Sequence, residues 1–220
     1  MSRWHKEKEE VLAAARKMLE KGLVTGTAGN VSLRLAPEGN RSLLAITPSS
    51  RDYYSLTPND IQILDFDAQK VEGDLRPSIE TPLHIGIYKA RQDINAIIHT
   101  HSVFATAVAV AGREIPAVID EQVAYLGGGI KLAGHAPSGS PELVKNVVAA
   151  LSDCNAVLLA NHGAVGAGRT LADAFHACEL LEKTARIYLL ALSTGKVNHL
   201  SPDAIKAAKD TYAKLQNGNL

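Results

Sequence analysis

The chain has 220 residues, 46% of them hydrophobic and 21% charged, which is the composition of one folded domain over residues 1–220 and excludes a largely disordered chain. Its 23 basic and 23 acidic residues balance, so no general basic field exists to attract nucleic acid or an anionic membrane, and an anionic ligand has to be held by local geometry. Cys154 and Cys178 are too few for a disulfide framework and lack C-x-x-C spacing, which fits a reducing, cytoplasmic setting. The charged opening residues and the lack of any run approaching ~18 apolar residues disfavour export and membrane insertion.

In chain order, residues 9–20 place Val11, Leu12, Ala15, Met18 and Leu19 at helical spacing, with Gly22 as the C-terminal stop. The period then changes: Val31, Leu33 and Leu35 alternate with polar residues, and residues 43–46 and 61–66 form further short apolar runs broken by Pro, Gly and Asn. These predict a small antiparallel meander. Helical patterns at 80–91 and 103–111 flank the strand-like segment 94–99. A helix capped by Ser140 with Pro141 in its first position precedes the apolar strand 156–160. Helices over 173–192 and 202–215 complete the chain. Helices interleaved with strands, plus the early meander, predict a mixed sheet covered by helices.

Chemistry concentrates in histidines. Ile-Ile-His99-Thr-His101 ends an apolar strand, where a two-residue period points both imidazoles to one side, as a metal requires. His162, in Ala-Asn-His162-Gly, again stands where an apolar run meets a glycine, so three imidazoles can converge at one sheet end and leave a coordination position open. Glu80, opening a helix after Pro77 and Ser78, suits either the helix dipole or, beside histidines, a fourth ligand or general base. His84, one turn on, is a weaker ligand candidate. His5, His135, His176 and His199 lack a paired context and read as surface or packing residues. The turns at 25–30 and 47–50 carry glycine, hydroxyls and an amide, a composition suited to an anion nest without a lysine, although neither is a Walker or dinucleotide loop.

The ordered set G-T-A-G-N-V-S (26–32), I-T-P-S-S (46–50), P-S-I-E-x-P-L-H (77–84), I-H-T-H (98–101) and N-H-G (161–163) resembles the class II aldolase/adducin family over nearly the whole chain. The resemblance implies a three-layer α/β/α sandwich with a mixed, largely antiparallel central sheet, assembled as a homotetramer with active sites between neighbouring subunits. It implies a zinc lyase of the L-fuculose-phosphate aldolase type, with one Zn2+ per subunit, another divalent transition metal being an alternative. His99, His101 and His162 would bind the metal. Glu80 would be the catalytic acid/base. Thr27, Gly29, Asn30, Ser49, Ser50 and Ser78 would receive a sugar phosphate. The implied reaction cleaves a ketose 1-phosphate to dihydroxyacetone phosphate and an aldehyde through a metal-stabilised enediolate.

Two departures bear on substrate. Where sugar-phosphate aldolases of the family show P-S-S-E, this chain has Ile79, which removes one hydroxyl from the anion site and opens the way to an unphosphorylated keto compound. Where fuculose-phosphate aldolases carry a tyrosine for the aldehyde-side proton, Asp120 and Glu121 stand instead. That segment resembles the methylthioribulose-1-phosphate dehydratases and the epimerases, which makes Glu121 the candidate second acid/base, ahead of Tyr125 and Tyr212. Decarboxylases of the same family are a further alternative. A cupin would place its glutamate shortly after H-x-H, and an amidohydrolase would place H-x-H near the start of a barrel. An adducin-like scaffold domain has no reason to keep three histidines and Glu80 together.

Overall fold

The structure is a computed structural model and describes residues 3–216. Its first helix, α1 (His5–Glu20), starts four residues before the apolar periodicity does. The reason is Lys8, a charged residue on the inward face: its stem is buried and its ammonium reaches Glu72 at 2.5 Å. The helix ends at Gly22, where φ of 68° lets Leu23 N–H reach Met18 O at 3.1 Å and Gly22 N–H reach Leu19 O at 3.0 Å. These are the paired bonds of a glycine-terminated helix.

The meander follows as β1 (Asn30–Glu38), β2 (Arg41–Ile46), β3 (Gln62–Asp65) and a short β4 (Lys70–Glu72), all antiparallel. Next come α2 (Thr81–Ala90), β5 (Ala96–Thr100), α3 (Val103–Val110), α4 (Asp120–Leu126), β6 (Lys131–Ala133), α5 (Pro141–Leu151), β7 (Ala156–Leu159), β8 (Gly163–Gly168), α6 (Leu171–Ser193) and α7 (Pro202–Gln216). The eight strands form one sheet in the order β4-β3-β2-β1-β5-β8-β7-β6, in which β6 and β7 are the parallel pair.

Alternation along the strands sorts side chains to two faces. Val31, Leu43, Ile63 and Ile98 pack against α1 and α6, and α3 continues that layer over Leu158 and Ala164. Leu44, Ile46, Ile97, Val157 and Val165 pack against α2 and α5 on the other face. The result is the three-layer α/β/α sandwich with a mixed, largely antiparallel sheet. α4 and α7 lie against each other.

Sequence periodicity did not reveal β4, β6, β8 or α4. In the seven-residue α4 the buried positions are Gln122, Val123 and Leu126, and Gln122 is accommodated because its amide bonds Pro116 O, Gly128 O and Val118 N, so the apolar stripe is cut to two residues. In β8 the sequence Gly-Ala-Val-Gly-Ala-Gly carries no sustained apolar alternation. Its glycines are required by close packing instead: a Cβ on Gly166 would stand 2.5 Å from Cys178 Sγ and 2.8 Å from Ala174 O of α6.

Candidate metal centre and active site

β5 carries His99 on the face that meets α2, and His101 follows two residues later on the same side, just beyond the strand. Their ring centroids are 4.8 Å apart. His162 arrives from the tight β7–β8 turn, in which Asn161 takes a left-handed φ of 55°. Gly163 is dictated by proximity, because a Cβ there would overlap Thr100 O and stand 2.9 Å from His101 Cδ2. Centroid separations of 4.7 Å from His99 to His162 and 5.1 Å from His101 to His162 close the triangle. One ring nitrogen from each lies within 4.8 Å of the others.

His99 Nδ1 donates to Ala164 O at 3.0 Å, which leaves the Nε2 lone pair facing inward. Burial, with the neighbouring imidazoles, lowers His101 to about 4 and also lowers His162, so both are neutral near pH 7, the form that ligates metal. His99 Nε2 is 2.9 Å from His101 Nε2 and 2.9 Å from Glu80 Oε2. Converging acceptors in a buried space call for a cation among them, and Glu80 Oε1 is buried with no hydrogen-bond partner. The donor set therefore fits a divalent transition metal with three imidazole ligands and an open position.

Glu80 is the N-cap residue of α2, yet its side chain does not cap the helix. It turns to the histidines, with Oε1 3.4 Å from His162 Nε2, and Asn30 Nδ2 donates to Oε2 at 3.1 Å. Burial pushes the carboxyl up, but the His99 and His162 imidazoles, when protonated in the metal-free protein, and the Asn30 amide outweigh it and hold Glu80 well below the usual carboxylate range. His84 is not positioned as a ligand. Its Nδ1 is 2.6 Å from Ser32 Oγ and its Nε2 is 2.5 Å from Asn30 Oδ1.

The glycine and hydroxyl turns adjoin one another beside Glu80. Residues 47–50 run next to 76–78, with Ser49 N–H on Arg76 O at 2.9 Å and Ser78 N–H on Thr47 O at 3.2 Å. Thr47 also binds the backbone of Val31, and Tyr53 donates to Gly29 O at 2.7 Å. Gly29 has φ of 72°, and a Cβ there would stand 2.6 Å from His99 O. Thr27 and Ser50 are exposed, Ser49 is half-buried, and Ser78 is buried with its Oγ accepting from Glu80 N–H at 3.2 Å. Asn30 commits its side chain to Glu80 and His84. Ile79 is 52% exposed at this edge.

Glu121 stands apart from this cluster within the chain, on α4, with its carboxylate 2.5 Å from Lys183 Nζ of α6. Tyr125 and Tyr212 line a cavity of about 650 Å³ beside Asn95 and Gly168, the ends of β5 and β8 remote from His99 and His162. His135, unpaired in sequence, lies close enough to His162 to help lower its pKa. His135 follows β6 and His162 follows β7, strands that pair in parallel, so no spacing in the sequence links the two.

Residues 9–189 match the family described as Class II Aldolase and Adducin N-terminal domain. A 5-deoxy-D-ribulose 1-phosphate aldolase of Bacillus thuringiensis is 37% identical over 201 residues, covering 91% of this chain and 92% of that one. An L-fuculose phosphate aldolase of Escherichia coli is 34% identical over 204 residues, covering 92% of both. The solved structure of an L-fuculose 1-phosphate aldolase superposes with a TM-score of 0.89 at 33% identity, covering 97% of this chain and 98% of that one. Aldolase-named relatives along nearly the full length make the chain an enzyme of the lyase class. Among the described residues no helix is long and apolar enough to cross a membrane. The chain belongs to the family of class II aldolase and adducin N-terminal domains.

Proposed function

We propose that this single domain is a zinc-dependent aldolase that cleaves a ketose 1-phosphate to dihydroxyacetone phosphate and an aldehyde. The observation that carries the reading is the triangle of His99, His101 and His162, buried at His99 and half-buried at the other two, with Glu80 Oε1 beside it lacking a hydrogen-bond partner. Relatives named for L-fuculose phosphate and 5-deoxyribulose 1-phosphate support a sugar-phosphate substrate. A zinc ion on the three imidazoles supplies positive charge toward which electron density released by bond cleavage can move.

The chain's own groups do the rest. The turns bearing Thr27, Gly29, Ser49, Ser50 and Ser78 hold the phosphate and fix the carbon skeleton against Glu80. Glu80, ionised in its buried position, takes at Oε1 the proton of the substrate hydroxyl next to the carbonyl and delivers it to the carbon that loses its partner in cleavage, and the proton drawn from the aldehyde-side hydroxyl restores the first hydroxyl through solvent. The aldehyde-side hydroxyl needs a second base, and Glu121 of a neighbouring subunit is assigned that role in a cytoplasmic homotetramer whose sites lie between subunits. Its pairing with Lys183, away from its own chain's histidines, supports a role outside its own chain's site. Exposed Ile79 favours a second reading, an unphosphorylated keto substrate and decarboxylation.

The test is a screen of the zinc-loaded protein against ketose 1-phosphates and unphosphorylated keto acids. The expected result is dihydroxyacetone phosphate and aldehyde in equal amounts. A dehydrated sugar phosphate, an epimer or carbon dioxide, without dihydroxyacetone phosphate, overturns the aldolase reading.

A further inference from the structure

Glu80, His84 and Tyr88 stand four residues apart along α2 and face Asn30 and Ser32 of β1, where they form one buried ladder. Its contacts run from Tyr88 OH to Ser32 Oγ at 2.8 Å, Ser32 Oγ to His84 Nδ1 at 2.6 Å, His84 Nε2 to Asn30 Oδ1 at 2.5 Å, and Asn30 Nδ2 to Glu80 Oε2 at 3.1 Å. We infer that His84 is a positioning residue that acts through Asn30 to fix the Glu80 carboxylate and to select Oε1 as the oxygen that carries the substrate proton.

The direction of every bond follows from the carboxylate end. A carboxylate only accepts, so Asn30 must present its amide N–H to Glu80 and its carbonyl to His84. His84 must then donate from Nε2. A neutral imidazole with its proton on Nε2 has a bare Nδ1, so Ser32 donates to it and in turn accepts from Tyr88. Tyr88 OH lies farther, at 3.3 Å, from Asn95 O. All donors point toward Glu80, and aligned hydrogen bonds polarise one another in that direction. An amide does not pass protons along, so the ladder orients and does not conduct. At its end Oε2 is occupied by Asn30 and faces His99, whereas Oε1 has no hydrogen-bond partner.

This inference rests on Glu80 being the acid/base group, so its test has one arm that needs no turnover. In protein labelled with 15N-histidine, His84 should give the shifts of a neutral ring protonated on Nε2; a proton on Nδ1 overturns the inference. The second arm follows solvent exchange of dihydroxyacetone phosphate with zinc-loaded protein in deuterium oxide. There the carbon-bound proton passes to Glu80 while its electron pair shifts toward the carbonyl oxygen, and a deuteron returns. His84→Leu should lower the maximal exchange rate by about 10- to 100-fold with unchanged zinc content and little change in KM. His84→Gln, which keeps a donor toward Asn30, should restore most of it. Zinc-loaded His84→Leu exchanging as fast as wild type overturns the inference. If His84→Leu does not fold, Ser32→Ala replaces it with the same expected direction, and wild-type-like exchange overturns equally. Wild type inert toward dihydroxyacetone phosphate would sink the proposed function, and the tautomer alone would then decide the ladder.

Discussion

His99 Nδ1 donates to the carbonyl of Ala164 at 3.0 Å, a bond between β5 and β8 that decides which nitrogen of the ring faces His101 and Glu80. Because a strand backbone holds the ring, the inward lone pair exists before any metal arrives. Purified protein should carry about one zinc per chain, and His99→Ala should lose it while keeping the fold. Elemental analysis with circular dichroism measures both, and zinc retained by a folded His99→Ala would remove His99 from the ligand set.

Gly166 lies beneath α6 with no room for a side chain. Gly166→Ala would set a Cβ 2.5 Å from Cys178 Sγ, 2.8 Å from Ala174 O and 2.9 Å from Cys178 N. Two of these atoms are backbone, which cannot step aside, so the cost should be about 1–3 kcal/mol. For a domain of this size that lowers Tm by roughly 2–4 °C per kcal/mol. Adding Cys178→Ala removes the sulfur alone and should recover only part of the loss. A Gly166→Ala protein melting with wild type would show that α6 can lift off β8 at no cost.

The same glycines explain what the sequence hid. The meander was legible because Val31, Leu33 and Leu43 alternate or cluster as sheet residues do, and the meeting of His99 with His101 was legible because H-x-H on a strand has one geometric outcome. β8 was not, since glycine spacing set by a helix on its back carries no apolar period. Lys8 and Gln122 are buried polar residues on inward helix positions, each satisfied by partners distant in sequence or by irregular backbone, and α4 has only Val123 and Leu126 buried beside Gln122. The Asn30–His84 contact was invisible for a related reason: Asn30 reads as part of an anion turn until β1 and α2 are brought together.

Glu80→Gln keeps size and the Asn30 contact but cannot take a proton. Turnover should fall by about 10²- to 10⁴-fold with zinc content unchanged, the range associated with a lost acid/base group. Steady-state kinetics beside metal analysis separate this from a binding defect. Full activity in the glutamine variant would end the assignment of Glu80 as proton carrier.

His84 also makes a stability prediction. Burial lowers its pKa from 6.5 to about 3, with Glu80 pulling it up and His99 pushing it down. Between those values the unfolded chain binds the proton and the folded chain does not, so the fold is favoured above pH 6.5 and loses stability as pH falls through the window. The full contribution is on the order of a few kcal/mol. Urea unfolding of metal-free protein should show a steeper loss between pH 6.5 and 4 in wild type than in His84→Gln, while His101 and His162 contribute alike to both. Parallel pH profiles would mean that His84 is charged in the folded state or titrates at its ordinary value.

Ile79 offers the most direct control of substrate charge. It is 52% exposed beside Ser78 and the 47–50 turn, so a serine there adds a hydroxyl without opening the core. Two neighbouring backbone donors, Ser49 N–H and Ser78 N–H, are already spent on Arg76 O and Thr47 O, which makes each added hydroxyl count for more. A hydrogen bond to a charged group contributes about 1.5–3 kcal/mol. Ile79→Ser should therefore lower KM for a ketose 1-phosphate by about tenfold or more with kcat nearly unchanged, the pattern of uniform binding. KM for an unphosphorylated analogue should not improve. An unchanged KM for the phosphorylated sugar would mean that the phosphate does not reach residue 79, and would shift the weight toward the keto-acid reading.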